Sequence, residues 1–438
     1  MQTHSDPVVI HWHRRDLRLH DNTSLLHALR SGLKVLPLFI FDTDILDKLD
    51  NKHDARLTYI HRQLIKLRNK YDEAGGTLLV KTGKPVEVFR ELSIEYNLRA
   101  VYTNRDYEPY AIKRDRETGD FLSRSGIEFH TFKDQVVFEK DEITKTDGEP
   151  YTVYTPYMRR WKAKYSENKP AIIPFPDLSE KLFQTESHDM PELEDLGFKP
   201  SEMKHQAGET DLYVIRNYHN NRDFPARNGT TKMGMNLRFG TVSIREMAKL
   251  ASEHNETWLN ELIWREFFQM ILFHFPHTVE KSFKPAYDRI EWLNDEDQFQ
   301  AWCKGVTGFP IVDAGMRELS ETGFMHNRVR MITASFLVKH LLIDWRWGEA
   351  WFAEKLLDYE QASNVGNWQW VAGSGCDAAP YFRVFNPELQ AQKFDPDAEY
   401  IRKWVPEAGT RNYPKPIIDH AFARTRAIET YKKALQNG

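Results

Sequence analysis

The stretch "PVVIHWHRRDLRLHDN", residues 7–22, decides the fold of the N-terminal part of the chain. It begins with a β-branched and aromatic run that predicts a buried strand, and similar runs recur at 34–42, 77–83, 99–106 and 127–134. Amphipathic helical stretches lie between these runs. This alternation predicts a Rossmann-like α/β domain over residues 1–136, with a doubly wound, mostly parallel sheet.

The turn after the first strand differs from a dinucleotide-binding loop. "RRDLRLHDN" (14–22) places charged and bulky residues where G-x-G-x-x-G would place glycines. We therefore expect that this domain does not hold a dinucleotide in the usual way.

The rest of the chain changes character twice. Residues 137–204 contain seven prolines and an acidic run, so they predict a connector, with one short aromatic-basic helix at "YTPYMRRWKAKY" (154–165). From 205 to 438 the apolar residues recur at helical spacing. These residues predict a large all-α domain.

Composition limits the class of protein. Hydrophobic residues make up 41% of the chain and charged residues 28%, as in a globular protein with a large core. Two cysteines, Cys303 and Cys376, favour a reducing compartment over a disulfide framework. Without a signal pattern, a run of ~20 apolar residues or zinc-ligand spacing, we expect a cytoplasmic protein without a membrane span or a metal site.

The charge distribution is uneven although the net charge is only −4. Residues 209–250 hold seven Arg and Lys against four Asp and Glu. A local basic face for nucleic acid is therefore compatible with the acidic total, and an ordinary solvated surface is the alternative.

The first cluster with chemical potential is "YHNNRDFPARNGTTKMGMNLRFG" (218–240). A glycine-punctuated turn with hydroxyl groups that runs into a helix offers N–H and O–H donors to phosphates. An ordinary helix N-cap has the same pattern, and both interpretations remain open from spacing alone.

The second cluster is "WLNELIWREFFQMI" (258–271). Glu261 and Trp264 are three residues apart and share a helix face, and we expect Arg265 and Glu266 to point elsewhere. A carboxylate beside an aromatic plate suits a planar, hydrogen-bonding ligand. A core helix with one exposed acid is the alternative.

Polar residues also share a stripe in the segment 323–348. Asn327, Arg330 and Met331 fall at i, i+3 and i+4, with Arg328 offset towards a neighbouring face. Asp358, further along, is a candidate partner for Arg330 in a bidentate ion pair. Together the clusters predict a cavity with amides, a carboxylate and an ion pair.

The motif "NWQW" (367–370) places two tryptophans two positions apart. In a helix, Trp368 and Trp370 point about 200° apart and serve different environments.

Several of these stretches together resemble the photolyase/cryptochrome family. They are "HWHRRDLRLHDN", "TGFPIVDAGMREL", "GFMHNRVRMITASFLVKHLLIDWRWGE" and "ASNVGNWQWVAGSGCDAAPYFRVFNP". The resemblance covers essentially the whole chain and is greatest to the class I photolyases that repair cyclobutane pyrimidine dimers. It implies an N-terminal antenna-binding domain and a helical domain that holds one non-covalent FAD, active in its reduced form.

The resemblance also assigns roles in cofactor binding. The FAD-phosphate segment corresponds to Tyr218, Thr230, Thr231, Lys232, Met233 and Gly234. The residues around the isoalloxazine correspond to Arg265, Arg330, Asp358, Tyr359, Glu360 and Asn364, the last facing flavin N5.

Contacts with the substrate follow from the same resemblance. Glu261, Asn327 and Met331 match residues that contact the lesion, and Asn364 completes the catalytic set. Trp264 and Trp370 match the plates that sandwich the flipped-out dimer. The DNA contacts correspond to Arg222, Arg328, Gln390 and Lys393.

A series of tryptophans matches the family's electron-transfer chain. Trp368 corresponds to the flavin-proximal member, followed by Trp345 and the surface-near Trp292.

The chain departs from the family pattern in four places. "TTKMG" replaces T-S-x-L-S, so Gly234 lacks the last hydroxyl group. Phe324 replaces a usual tryptophan, and Glu360 stands at the second acid of Asp-x-Asp. Residues 109–111 replace an Asn-Glu pair of folate-binding members.

The last departure bears on the second, light-harvesting chromophore. It disfavours a folate, whereas Arg56, Asp106 and Glu108 suit a deazaflavin or another flavin. The choice among these chromophores stays open.

The resemblance implies light-driven repair of cyclobutane dimers in UV-damaged DNA by a carbon–carbon lyase. We expect a monomer without an obligate protein partner. The alternative is a cryptochrome-like blue-light receptor without repair activity, which would share the fold, the FAD and the tryptophan series.

Overall fold

A computed structural model of the chain describes residues 4–185, 189–203 and 208–436. The chain divides into two compact units. The first unit comprises Met1–Glu139, Tyr165–Glu202 and Gly234–Leu250, and the second unit comprises Lys140–Lys164, Met203–Met233 and Ala251–Gly438. Residues of the predicted connector are thus shared between the units, and its predicted end at 204 lies outside the described residues.

The first unit is built on a five-stranded parallel sheet with strand order β3-β2-β1-β4-β5. The strands are β1 (His4–His13), β2 (Lys34–Asp42), β3 (Leu79–Gly83), β4 (Tyr96–Asn104) and β5 (Glu128–Phe132). In the centre, Ile10 is in register with Leu36 on one side and Val101 on the other. All three are fully buried, as a parallel sheet covered on both faces requires. The predicted doubly wound sheet is confirmed.

Helices that alternate with the strands cover this sheet. They are α1 (Thr23–Leu29), α2 (Thr43–Leu46), α3 (Ala55–Glu73), α4 (Pro85–Glu95) and α5 (Pro109–Arg124). Phe89 and Leu92 of α4 and Leu122 of α5 are buried in the core that contains the strand residues.

Side chains fill the turn after β1. The carboxylate of Asp16 accepts the backbone N–H of Arg14 at 2.7 Å and the side-chain amides of Asn22 at 3.0 Å and Asn104 at 2.7 Å. A carboxylate of the protein thus occupies these donors, in place of the glycine-lined turn of a dinucleotide site.

Helices dominate the remainder of the chain. They are α6 (Tyr154–Glu167), α7 (Leu212–Arg216), α8 (Tyr218–Asn221), α9 (Gly234–Phe239), α10 (Ile244–His254), α11 (Glu256–His274), α12 (Glu296–Cys303), α13 (Pro310–Thr322), α14 (Asn327–Ser335), α15 (Trp345–Lys355), α16 (Gln361–Ala372), α17 (Pro387–Phe394), α18 (Glu399–Trp404) and α19 (His420–Gln436). Short 3-10 turns occur at Lys140–Glu142, Pro276–Val279 and Pro285–Arg289, and a π-helical turn at Phe336–His340. Within the described residues, no helix is both long enough and apolar enough to cross a bilayer.

Helices α11 and α16 approach each other closely at Gly366. A Cβ atom at this position would lie 2.2 Å from Cδ1 of Phe268 on α11, closer than any side chain tolerates. The absence of a side chain therefore allows α16 to lie directly against α11.

Tryptophans are concentrated in the core of the second unit. Trp302, Trp345 and Trp368 are almost completely buried there, and Trp292 packs against the same cluster while partly exposed. The ring of Trp368 lies over Gly348, where a Cβ atom would be 2.1 Å from its Cη2.

Candidate active site

Three helices of the second unit present stripes of the same spacing to one cavity of about 320 Å³. Helix α11 contributes residues 261, 264, 265 and 268, and α14 contributes 327, 330, 331 and 334, each at i, i+3, i+4 and i+7. Helix α16, together with its N-cap residue 360, continues the pattern with residues 360, 363, 364, 367, 368 and 371. The remaining lining residues are Arg222, Phe352, Leu356, Asp358, Tyr359 and Trp370.

This arrangement brings together both predicted sets of the resemblance. Glu261, Asn327 and Met331, which are predicted to contact the lesion, line the same cavity as the ion pair of Arg330 and Asp358. Arg265 also lines it, so the expectation that Arg265 points away from Glu261 was wrong. It lies four residues after Glu261 and therefore falls on the same stripe.

Arg330 is held at both ends of its guanidinium. Its Nη2 donates to both carboxylate oxygens of Asp358, at 3.1 and 2.9 Å, and its Nε donates to the carbonyl of Met325 at 2.7 Å. A single nitrogen of Arg330 thus donates to both oxygens of Asp358, in place of the predicted bidentate ion pair. The two side chains are 26% and 19% exposed, so the pair is only partly withdrawn from water.

The orientation of Asn364 follows from its neighbours. Its Nδ2 donates to the backbone carbonyl of Glu349 at 3.0 Å and to the Glu349 carboxylate at 2.9 Å. Both of these groups accept, so the amide nitrogen must face them and the side-chain carbonyl oxygen is left for the cavity. Burial raises the pKa of Glu349, against hydrogen bonds from Asn364 and Tyr359.

Glu360 is buried and connects α11 to the start of α16. Its carboxylate accepts from Arg265 at 2.7 Å, from Gln269 at 2.8 Å and from Ser363 at 3.1 Å. These contacts give the departure from Asp-x-Asp a structural role, because the longer side chain reaches donors on α11.

Glu261 is a half-buried carboxylate that is paired with Arg222. Burial raises its pKa, although Arg222 lies 2.5 Å away and opposes the shift. Asp223, which follows Arg222 in the sequence, pairs with Arg328 at 2.8 Å. Two predicted DNA-contact arginines are therefore each held by an acid.

Arg328 and Lys393 are brought together on α14 and α17. The Arg328 guanidinium lies 4.2 Å and the Lys393 ammonium 5.2 Å from the ring centroid of Phe394. Lys393 is exposed, and Gln390 is one turn earlier on α17 and partly buried. Among the described residues, Arg328, Gln390 and Lys393 lie outside the lining of the cavity.

The two tryptophans of "NWQW" both line the cavity. Trp368 extends into the core, where its ring is 5.0 Å from Phe352 and 6.2 Å from Trp302. Trp370 remains partly exposed on the cavity side. Their environments differ as predicted, although both contact the same space.

The predicted phosphate segment lies beside the cavity and not in its lining. Tyr218 and Met233 are buried, and Lys232 has a positive φ of 52°. The Lys232 ammonium and the Arg330 guanidinium each lie 5.8 Å from the ring centroid of Phe324. The ring that replaces the usual tryptophan is thus a contact for both cations.

The predicted antenna residues of the first unit fall into two groups. Arg15 donates to Asp106 at 3.2 Å and to Glu108 at 3.1 Å, and Arg238 donates to Glu108 at 2.8 Å. Burial alone would raise the pKa of Asp106, but Arg15 and Arg238 outweigh it and lower the pKa. Arg56 is bound to Asp54 at the start of α3.

Sequence reasoning missed several lining residues. Phe268 and Ala334 extend the recognised stripes by one turn, so helical periodicity was a sufficient signal for them. Ser363 and Asn367 lie on the stripe of Asn364. Sequence reasoning also missed Glu349, which is outside the lining and accepts hydrogen bonds from Asn364. It is on α15, and no spacing in the sequence connects it to Asn364.

The residues of the cavity fit FAD. The lining contains aromatic rings, an arginine–aspartate pair and an amide carbonyl. A planar ring system with hydrogen-bonding edges needs such apolar faces and polar groups. Three arginines that line the cavity are each paired with an acid of the same lining, so their positions are set within the protein.

Two family models match the chain. The one described as DNA photolyase matches residues 9–176, and the one described as the FAD binding domain of DNA photolyase matches residues 258–411. A deoxyribodipyrimidine photo-lyase of Agrobacterium fabrum is 37% identical over 478 aligned positions, which cover 98% of this chain and 98% of that protein. This chain belongs to the DNA photolyase family.

Solved structures give the same family. A bacterial class III photolyase from Agrobacterium tumefaciens superposes with a TM-score of 0.88 at 35% identity, covering 100% of this chain and 98% of that one. An archaeal photolyase from Sulfolobus tokodaii, solved with two FAD molecules, gives 0.86 at 33% identity and covers 97% and 100%. A Synechocystis cryptochrome gives 0.84 at 26% identity and covers 98% and 100%. Membership of class I therefore stays a prediction.

We predict that Asp358→Asn lowers the affinity for FAD roughly 10- to 100-fold, the range expected when a hydrogen-bonded charge loses its partner. The measurement is a fluorescence titration of flavin-depleted protein with FAD. Asp223→Asn is the matched control, because Asp223 pairs with Arg328 and lies outside the cavity lining. Equal affinities of wild type and Asp358→Asn would contradict the prediction, and so would an equal loss in the control.

Proposed function

We propose that this photolyase repairs cyclobutane pyrimidine dimers in DNA by light-driven electron transfer from reduced FAD. The observation that carries the proposal is the single cavity in which the lesion-contacting set and the flavin-contacting set meet. The full-length relatives named deoxyribodipyrimidine photo-lyase support the same function.

FAD, when bound, supplies the absorption of light and the electron that splits the cyclobutane ring. Arg330, Asp358 and Asn364 would hold it in the cavity, with Arg265 and Glu360 beside them. The turn at 230–234 would meet its phosphates.

The remaining lining residues act on the substrate. Trp264 and Trp370 provide flat faces for a flipped-out dimer, and water is displaced from the cavity between them. Glu261 accepts N–H groups of the pyrimidines, Asn327 hydrogen-bonds a pyrimidine edge, and Met331 packs against the apolar ring.

Among the described residues, no histidine lines the cavity, and repair of a (6–4) photoproduct requires proton transfer. His326 adjoins the stripe of Asn327, but burial and the nearby Arg330 lower its pKa to about 4. Its Nδ1 also accepts the backbone N–H of Arg328 at 3.2 Å. A histidine that is neutral near pH 7 is a poor general acid, whereas splitting of a cyclobutane dimer needs no net proton.

The function is tested with two oligonucleotides, one carrying a cyclobutane dimer and one a (6–4) photoproduct. Under blue light, the pre-reduced protein should restore the first and leave the second, as followed by absorbance of the restored pyrimidines. Repair of the (6–4) product in preference would contradict the proposed lesion. Repair of neither, with FAD bound, would support the cryptochrome-like alternative.

The pKa of Glu261 predicts how lesion binding depends on pH. Only the ionised carboxylate accepts from both pyrimidine N–H groups, and burial raises its pKa. As the pH falls, affinity for dimer-containing DNA should therefore decline already above the ordinary range of glutamate, near pH 4.3. The measurement is a dissociation constant at constant salt, and Glu261→Gln should lack this decline. An identical pH profile in the variant would exclude Glu261 as the titrating group.

The tryptophan series supports a route for reductive activation. Exposure increases from Trp368 and Trp345, which are buried, to Trp292, which is partly exposed. An electron-transfer series from the cavity to the solvent requires one electron donor that is buried beside the cavity and another that is accessible to solvent.

We predict that Trp368→Phe retains FAD and repairs dimers when reduced chemically, but photoreduces oxidised flavin far more slowly. Phenylalanine keeps an apolar aromatic ring at this buried position and is much harder to oxidise. The measurement is the loss of flavin absorbance under blue light with an external reductant. Photoreduction at the wild-type rate would show that Trp368 serves packing alone.

The DNA partner would be held without sequence preference through Arg222, Arg328, Gln390 and Lys393. A second chromophore in the first unit, near Asp106 and Glu108, belongs to the proposal, with its chemical class left open between deazaflavin, flavin and folate. The protein would act as a cytoplasmic monomer without an obligate protein partner.

A further inference from the structure

The face of Trp264 that is turned away from the cavity is covered by Tyr154. The two ring centroids are 3.5 Å apart and the planes differ by only 7°. Trp264 and its neighbour Phe268 line the cavity, whereas Tyr154, also within the described residues, does not. Phe268 also stacks on the indole, with ring centroids 5.4 Å apart and planes that differ by 28°.

Tyr154 is fixed from two sides. Its hydroxyl donates to the carbonyl of Asn260, on the same helix as Trp264, at 2.8 Å. Its backbone N–H donates to the carboxylate of Asp377 at 3.0 Å. The ring cannot turn away from Trp264 without breaking the first of these bonds.

Asp377 continues this chain of contacts to the second tryptophan plate. It lies in the loop after α16, and two residues later the N–H of Ala379 donates to the carbonyl of Trp370 at 3.2 Å. Tyr154 therefore connects Trp264 on α11 to Trp370 on α16 through a short series of stacked and hydrogen-bonded groups.

The geometry points to Tyr154 as a positioning residue for lesion recognition, which sets the plane of Trp264 and its distance from Trp370. This inference rests on the proposed function, because it assumes that a dimer stacks between the two tryptophans. Without Tyr154, Trp264 would keep its contacts with Phe267 and Phe268 but lose the nearest stacked ring, so binding of the dimer would have to restore part of its orientation.

The neighbouring contacts of α6 make this role testable. Trp161 donates its indole N–H to Glu266 on α11 at 2.6 Å, and Tyr157 packs on Phe267 with ring centroids 5.2 Å apart. These contacts remain when residue 154 is changed, so α6 stays docked. Tyr157 is also the matched control, since it is a buried tyrosine one turn away that does not stack on Trp264.

The experiment measures the affinities of the holoprotein for an oligonucleotide with one cyclobutane dimer and for the same oligonucleotide without it. Tyr154→Leu should lower the affinity for the dimer about fivefold and leave the undamaged affinity and the flavin absorbance unchanged, because only a stacked aromatic pair is lost. Tyr154→Phe, which keeps the ring, should stay within about twofold of wild type. Tyr157→Leu should not alter the ratio of the two affinities.

Two further variants separate positioning from a general structural role. In a Trp264→Leu background, Tyr154→Leu should have no additional effect on dimer binding, since the plate that it positions is gone. Asp377→Ala, which removes the connection to the loop but not the stack, should lower the affinity for the dimer in the same direction.

Three results would overturn the inference. They are an unchanged preference for the dimer in Tyr154→Leu, an equal loss for both oligonucleotides together with loss of FAD, and a loss that persists in full in the Trp264→Leu background. If the wild-type protein shows no preference for the dimer, the proposed function fails first and the inference with it.

Discussion

The contact between α11 and α16 at Gly366 determines what the second unit can bind. A single methyl group at residue 366 would meet the ring of Phe268 at 2.2 Å, and relieving such overpacking costs about 1–3 kcal/mol. Because the two helices lie in direct contact there, lining residues of both helices, Trp264 of α11 and Trp370 of α16 among them, face one cavity.

Charges in and around this cavity are matched by partners from a different segment. The pairs are Arg222 with Glu261, Arg265 with Glu360 and Arg330 with Asp358. An unpaired charge in such partly buried surroundings is unfavourable, so each pair helps to fix the position of both side chains before a ligand arrives. The same logic applies to Asn364, whose orientation is imposed by two acceptors of Glu349. The cavity is therefore polar and yet ordered.

The sequence was informative where the residues of the site lie along a single helix. The stripe of Asn327, Arg330 and Met331 was predictable from i, i+3 and i+4 spacing, and the parallel sheet from the alternation of strands and helices. The orientation of Arg265 was judged wrongly although the same periodicity applies to it. Glu349 and Tyr154 act through neighbours on other segments, and only tertiary packing brings them together. The contacts of Glu360 were equally hidden, because they depend on how far its longer side chain reaches across to α11.

The hydrogen bonds in the turn after β1 bear on whether the fold of the first unit depends on an antenna chromophore. In doubly wound sheets, ligands bind in the crevice at the carboxyl ends of the strands where the strand order reverses, here between β1 and β4. At this edge Asn22 and Asn104 donate to Asp16, which is only 1% exposed, so these side chains are held by partners within the protein. An antenna chromophore would be an accessory that widens the range of usable light. Its loss would reduce the light that the enzyme absorbs without unfolding the protein.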